Sequence, residues 1–316
     1  MERTRARRQP IRIGTRGSPL ARRQADWVEA VLRRAAPDRE FEQVVVRTTG
    51  DVRTNQPLRR FAEFGVFTRQ LDLALMKERI DLAVHSAKDY PTHVSNDLRI
   101  VAFPCRESPN DALITRGNVP LVNLPEGAVI GTGSLRRSAQ LAHVRPDLRF
   151  QDIRGNIETR LRKVERGEYD AIVMAEAALC RLEIATPREI LPVSRLVPAA
   201  GMGALMVVCR YGDHAIRSLL ARIDNDCVAR CVMAERTVLF GLGGGCRLPI
   251  GVYAKIAGDT MRIRAVVLSP DGQRKVSVVV EGFPRNPTVV AEKAVRFLME
   301  TGAREIIEEI GSATDP

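Results

Sequence analysis

No stretch of this 316-residue chain approaches eighteen consecutive apolar residues, which excludes a transmembrane helix, and no membrane partner is expected. Its six cysteines contain no Cys-x-x-Cys pair, and its four histidines lie apart from them, so no metal site is expected. Cys227 and Cys231, one helical turn apart, read as free core thiols. Aromatic residues are only 4% of the chain, too few for base-stacking surfaces. Glycine and proline, at 23 and 18, stay near ordinary globular usage, which excludes collagen-like and disordered chains. No apolar segment follows the basic MERTRARRQP start, so a cytoplasmic location is expected and residues 1–9 read as a disordered basic tail.

What the chain does have is positive charge, +11 at neutral pH. Only six of its 49 basic residues are lysine, which leaves 43 arginines. Guanidinium forks bind carboxylate and phosphate bidentately, so nucleic acid, an anionic membrane and a small polyanion are all candidate partners. Beyond the tail, the arginines are dispersed among glycines and hydroxyl residues rather than gathered in blocks. That pattern fits a pocket better than a duplex-binding stripe, and no nucleic-acid partner is expected.

The periodicity alternates strand and helix. IRIGTR (11–16) reads as a strand, 20–36 as a helix, 41–51 as a strand, 67–77 as a helix and 80–89 as a strand ending in a polar loop. A second alternation begins near Asp111 and runs through 128–141, 147–167 and 169–179, with no alignable internal repeat. Residues 198–210 read as a Gly-hinged return strand, followed by one helix around 215–238. A hairpin over 261–283 turns at Pro270–Gly272, and an amphipathic helix spans 288–300. In mostly parallel sheets, ligands sit at the carboxyl ends of strands. Arg16, Ser18, Thr49, Asp51, Ser86, Lys88 and Asp89 all fall there.

Three features carry chemistry. GTGSLRR (131–137) sets hydroxyls and amides at a strand-to-helix turn, and places Arg136 and Arg137 at the dipole end that disfavours cations. A bound anion would offset them; two solvated surface arginines are the plainer alternative. RGNIETR adds Arg154 and Arg160 on the same side. Asp89, beside Lys88, is either a turn former or a lone carboxylate in a cationic cleft, kept ionised and able to stabilise a developing cation. Cys246 follows three glycines, which either make a tight turn or expose a thiol for covalent attachment.

Together IRIGTRGSPLA, TTGD, HSAKDYPT, GTGSLRR, RGNIETRL, PAAGMGA and GGGCRLPIG, in this order, resemble the porphobilinogen deaminase (hydroxymethylbilane synthase) family over residues 11–310. The resemblance implies an α/β protein of three domains. Two are periplasmic-binding-protein-like α/β lobes with mixed sheets, over 10–104 with 200–222 and over 105–199; the third is a smaller α+β domain over 223–316. It implies a monomeric transferase of tetrapyrrole (heme) biosynthesis that joins four porphobilinogen molecules head to tail and releases ammonia. The primer is a dipyrromethane cofactor held by a thioether to Cys246. Asp89 is then the catalytic carboxylate. Cofactor-binding residues are Ser86, Lys88, Asp89, Thr132, Ser134, Arg136 and Arg137; substrate-binding residues are Arg16, Ser18, Arg154, Asn156 and Arg160. A non-catalytic anion-binding protein of the same two-lobed fold is the alternative.

The chain departs from the family pattern at several positions. Gly243 to Arg247 stand where Glu–Gly–Gly–Cys–Gln is common, and Met202 where a Gln is. Residues 63–65, including Phe64, replace Gly–Lys–Gly, and Gly133 replaces a serine. Tyr90 stands where a smaller aliphatic residue is usual. These changes bear on the geometry of the cofactor loop and on chain elongation.

Overall fold

The structure, a computed structural model, describes residues 9–47, 68–244 and 248–312. Cys246, Arg247, Thr49, Asp51, Phe64 and nearly all of the expected 1–9 tail lie outside these residues. The described chain is mixed α/β, built on two five-stranded sheets and one three-stranded sheet. None of its helices is long and apolar enough to cross a membrane.

The first sheet contains β1 (Ile11–Thr15), β2 (Phe41–Val45), β3 (Leu82–Ser86), β4 (Leu98–Ala102) and β10 (Leu205–Arg210), in the order β2-β1-β3-β10-β4. β1 runs parallel to β2 and β3, whereas β10 is antiparallel to both of its neighbours. The second contains β5 (Asp111–Thr115), β6 (Val129–Gly131), β7 (Arg149–Gln151), β8 (Ala171–Ala175) and β9 (Glu189–Leu191), in the order β7-β6-β8-β5-β9. Here β5 is the antiparallel strand. The two sheets therefore share one topology, although the sequence shows no repeat. In each, the antiparallel strand is the one next to the crossing between lobes.

The two crossings are zipped together. Arg106 and Ala204 form an isolated antiparallel bridge, with Glu107 N–H donating to Gly203 O (2.9 Å) and Leu205 N–H to Cys105 O (3.1 Å).

Local rules explain the helices. α1 (Pro19–Ala35) starts at Ser18, whose hydroxyl accepts from Ala21 N–H, and its Ala25, Val28 and Leu32 stripe is buried. α2 (Arg69–Met76) and α3 (Leu135–Val144) follow, then α4 (Ile157–Glu165) and α5 (Glu176–Arg181). The single helix expected around 215–238 is two: α6 (His214–Leu220) and α7 (Asp226–Gly241). Asp224 is extended and accepts from Phe103 N–H (2.7 Å), and Asn225 caps α7, so the break anchors the chain to the first lobe.

The third sheet is an antiparallel meander of β11 (Ile250–Ala257), β12 (Thr260–Leu268) and β13 (Lys275–Gly282). α8 (Pro287–Leu298) packs on it, and α9 (Arg304–Ser312) ends the described chain. The expected hairpin is present; β11, not predicted as a strand, completes the sheet. α7 is apolar on two faces because it lies between two cores. Val228, Ala229 and Val232 join the first lobe, whereas Cys231, Ala234 and Val238 join the third sheet. Cys231 is buried as a core thiol, but Cys227 is exposed, which corrects the pairing of the two as core residues.

Glu235 of α7 is fully buried and ties these parts together. Its carboxylate accepts from Arg106 (2.7 and 3.2 Å), from Gly201 N–H (2.7 Å) and from Ala254 N–H (2.7 Å). Arg106 also stacks on Tyr253, 4.9 Å from the ring centroid. Glu235→Ala leaves Arg106 buried without its anion, so we expect a loss of about 3 kcal/mol in urea unfolding. Stability within 1 kcal/mol of the parent would contradict this account of the junction.

Candidate active site

β3 delivers its carboxyl end to a tight 3₁₀ turn, Ala87–Asp89, closed by Tyr90 N–H to Ala87 O. Ala87 N–H donates to Ala204 O (3.0 Å), so the turn rests on the return crossing. Gly201, at φ +74°, faces it: a Cβ there would lie 2.9 Å from Ala87 Cβ and 3.0 Å from Lys88 N. Only glycine fits this approach without strain. Asp89 is exposed and Lys88 half-buried. Burial pushes the Lys88 ammonium below the usual lysine range, Asp89 opposes this, and Arg137 and Arg136 add to it. The Lys88–Asp89 turn of one lobe thus lies within the electrostatic field of the arginines of the other.

Those arginines are not solvated. Arg136 and Arg137 are buried, and both grip Asp111, the fully buried first residue of β5. Arg136 donates to Asp111 at 2.8 Å and to Val197 O at 2.9 Å; Arg137 donates to Asp111 at 2.9 and 2.6 Å and to Val173 O at 3.0 Å. Burial alone would raise the Asp111 carboxyl, but the two guanidiniums outweigh it and hold it below the ordinary range. The anion that offsets two cations in the first turn of α3 is therefore part of the chain. This revises the expectation that a bound anion would be needed to explain them.

One carboxylate is too little for the whole set. Arg160 is pushed down to about 10 by burial and by the charges of Arg137 and Arg154. Arg154 Nη2 is buried with no hydrogen-bond partner among the described residues. Among the described residues, five cations, Lys88, Arg136, Arg137, Arg154 and Arg160, are thus linked electrostatically, and Asp89 and Asp111 act on Lys88 in the same neighbourhood. An excess of partly desolvated cations is a site for a multiply charged anion.

The hydroxyl and amide residues sit around this neighbourhood in mixed roles. Ser86 accepts from Gln24 (2.8 Å), and Thr132 accepts from Ser134 N–H at the start of α3. Ser134 occupies the N-cap of α3 without a capping bond from its side chain. Ser18 and Asn156 instead cap α1 and α4, Asn156 accepting from Thr159 N–H at 2.9 Å. Their side-chain oxygens serve the helices, and what remains for a ligand is the Ser18 hydroxyl proton and the exposed Asn156 amide. Arg16 is half-buried, and its charge helps burial to push His85 down to about 3.

Cys246 lies outside the described residues, but the loop leading to it is defined. α7 ends in a Schellman arrangement: Gly243 N–H donates to Phe240 O (3.0 Å) and Gly244 N–H to Leu239 O (2.8 Å), with Gly243 at φ +79°. The first two glycines of the run therefore terminate a helix.

Asp111, Gln24 and Glu235 were not singled out by motif reading. Asp111 opens the second αβ alternation, so its position was visible. Its partners, 25 and 26 residues away, were not.

Two α/β lobes whose cations gather beside the exposed Asp89 carboxylate define the class: a two-lobed α/β protein with a site suited to a polyanion. The family model "Porphobilinogen deaminase, dipyromethane cofactor binding domain" matches residues 11–218, and "Porphobilinogen deaminase, C-terminal domain" matches 229–296. The chain is 40% identical to the porphobilinogen deaminase of Synechococcus elongatus over 97% of both chains. It is 43% identical to that of Rubrobacter xylanophilus, over 93% of this chain and 95% of the other. Among solved structures it is similar to the periplasmic aliphatic sulphonate binding protein of Escherichia coli, at TM-score 0.41 and 14% identity over 76% of each chain. The chain belongs to the porphobilinogen deaminase family, whose larger domain binds a dipyrromethane cofactor.

Replacing Asp111 with Asn tests the buried anchor. It strips the anion from two buried guanidiniums, and we expect a loss of about 3 kcal/mol at neutral pH. The folded carboxyl titrates below its unfolded value of about 3.9, so its contribution is fully present above pH about 5 and fades as pH falls through the folded value. The deficit of the variant should therefore shrink in acid unfolding measurements. A deficit independent of pH down to 3 would contradict the ion-pair account.

Proposed function

We infer that the chain is a hydroxymethylbilane synthase, a transferase that condenses four porphobilinogen molecules head to tail with release of ammonia. One observation carries the reading: Lys88 and Asp89 from the first lobe share an electrostatic neighbourhood with Arg136, Arg137 and Asp111 from the second. Porphobilinogen bears acetate and propionate groups, so every condensation adds carboxylates to the bound chain. Arginine-rich walls with an Arg154 Nη2 unpartnered among the described residues suit such a product.

The dipyrromethane fits the same residues. Its carboxylates are the anions that the desolvated cations lack, and Arg136, Arg137 and Lys88 would hold it with Ser86, Thr132 and Ser134. We propose Cys246 as its thioether attachment. When bound, the dipyrromethane supplies the terminal pyrrole carbon at which the new bond forms. Arg16, Arg154 and Arg160, with Ser18 and Asn156, would bind carboxylates of incoming substrate.

Asp89 has the central role. Its carboxylate would accept hydrogen bonds from pyrrole N–H groups and stabilise the positive charge that develops on the substrate as ammonia departs. It would then take up the proton released when the ring regains aromaticity.

We propose the domain limits as 10–104 with 200–222, 105–199 and 223–316. We further propose a monomer acting in the cytoplasm without nucleic acid. Many surface arginines are already committed within the chain, as in Arg12–Asp81, Arg145–Asp147 and Arg188–Glu176, which argues against a duplex-binding face.

The intact mass of purified protein tests the assignment. A dipyrromethane-sized increment that maps to Cys246 and is lost in Cys246→Ala is expected; an adduct of unchanged mass in that variant would relocate the attachment. Asp89→Asn should retain the adduct and lose turnover by about 10²-fold or more. Undiminished turnover would remove Asp89 from the chemistry, and a bare protein inert to porphobilinogen would favour a simple anion-binding role.

A further inference from the structure

Tyr90 directly follows Asp89. The structure gives its ring, hydroxyl and carbonyl separate partners. The side chain is buried at 5% exposure, and its hydroxyl donates to Asp72 Oδ1 of α2 at 3.1 Å. Its ring meets His85 of β3 edge-on, with centroids 4.8 Å apart. Arg236 of α7, itself buried, places its guanidinium 5.9 Å from the ring centroid. The same guanidinium donates to Tyr90 O at 3.0 Å and to Pro91 O at 2.5 Å. Three elements therefore converge on the residue next to Asp89, and each holds a different part of it.

We propose that Tyr90 is a positioning residue: held by Asp72 through its hydroxyl and by Arg236 through its carbonyl, it fixes the backbone that presents Asp89. The proposal rests on the reading of Asp89 as the catalytic carboxylate. The hydroxyl contributes through direction, since an aromatic ring alone would fill the same space without fixing its tilt. Arg236 holds the carbonyls that follow the turn, so the exit of the chain from Asp89 is fixed as well.

Among the described residues, Tyr90 faces Asp72, Arg236 and His85. His85 stays neutral at ordinary pH because burial, helped by Arg16, pushes it down to about 3. Burial raises Asp72 to about 6, partly opposed by the Tyr90 hydrogen bond. Among the described residues no cation pairs with Asp72. Its carboxylate, the stronger acceptor, is therefore present above pH about 6 and lost below it. The hold tightens as pH rises through that value and slackens as pH falls.

The test uses the cofactor-loaded enzyme with porphobilinogen, with cofactor loading followed by intact mass. Tyr90→Phe should lower kcat three- to tenfold at pH 8, with KM within twofold of the parent and loading unchanged. A variant with parental kcat overturns the proposal, as does one whose kcat falls only in proportion to lost loading. Asp72→Asn keeps an oxygen acceptor that cannot ionise, and it carries the test if Tyr90→Phe does not fold. It should flatten the decline of kcat between pH 7 and 5, and a profile superimposable on the parent overturns the proposal. Asp89→Asn is measured alongside. Full turnover there defeats the underlying reading of Asp89, whereas an inactive Asp89→Asn beside a fully active Tyr90→Phe defeats the positioning role alone.

Discussion

The buried carboxylate of Glu235 is the constraint on which the arrangement of the molecule depends. It collects N–H donors from Arg106 on the outward crossing, Gly201 on the return crossing and Ala254 in the third sheet. A charge with no exposed surface must find donors on every side, and here each comes from a different part of the chain. The consequence reaches the active site. Gly201, fixed by Glu235, abuts Ala87 and Lys88, so the turn bearing Asp89 is braced from the junction of the lobes.

The same economy of buried charge shapes the cleft. Asp111 neutralises part of the Arg136–Arg137 pair and locks their side chains, so the pocket is rigid before any ligand enters. Among the described residues Arg154 Nη2 has no hydrogen-bond partner, and burial and neighbouring cations push Arg160 down. A rigid cationic pocket with an incomplete set of counter-charges suits a growing polycarboxylate, whose charge rises at each step. Arginine suits it better than lysine because a guanidinium keeps its proton when desolvated and can bind one partner within the protein while facing another.

Much of the fold was legible because short-range rules govern it. The apolar spacing from Leu20 to Ala36 announces α1, the alternation after Asp111 announces a second lobe, and the Pro270–Gly272 turn announces the hairpin. Errors arose where a distant partner decided the outcome. Asp224 breaks the expected long helix because it is claimed by Phe103 N–H, 121 residues earlier. β11 became visible only beside β12. The shared strand order of the two lobes left no trace in the residues, since the same topology can be built from different apolar side chains.

The sequence by itself determined the chemistry on offer: an excess of arginine, an aspartate at a strand end, glycines at turns, and motifs in a family's order. These are properties of residue type and spacing, which survive without coordinates. Only the tertiary structure decided which charges meet. It buried Arg136 and Arg137 on Asp111, turned Ser18 and Asn156 into helix caps, and joined Tyr90 to Asp72 and Arg236. Such pairings depend on bringing remote segments together in a low-dielectric interior, where one contact decides whether a charged side chain is a ligand, a cap or a brace.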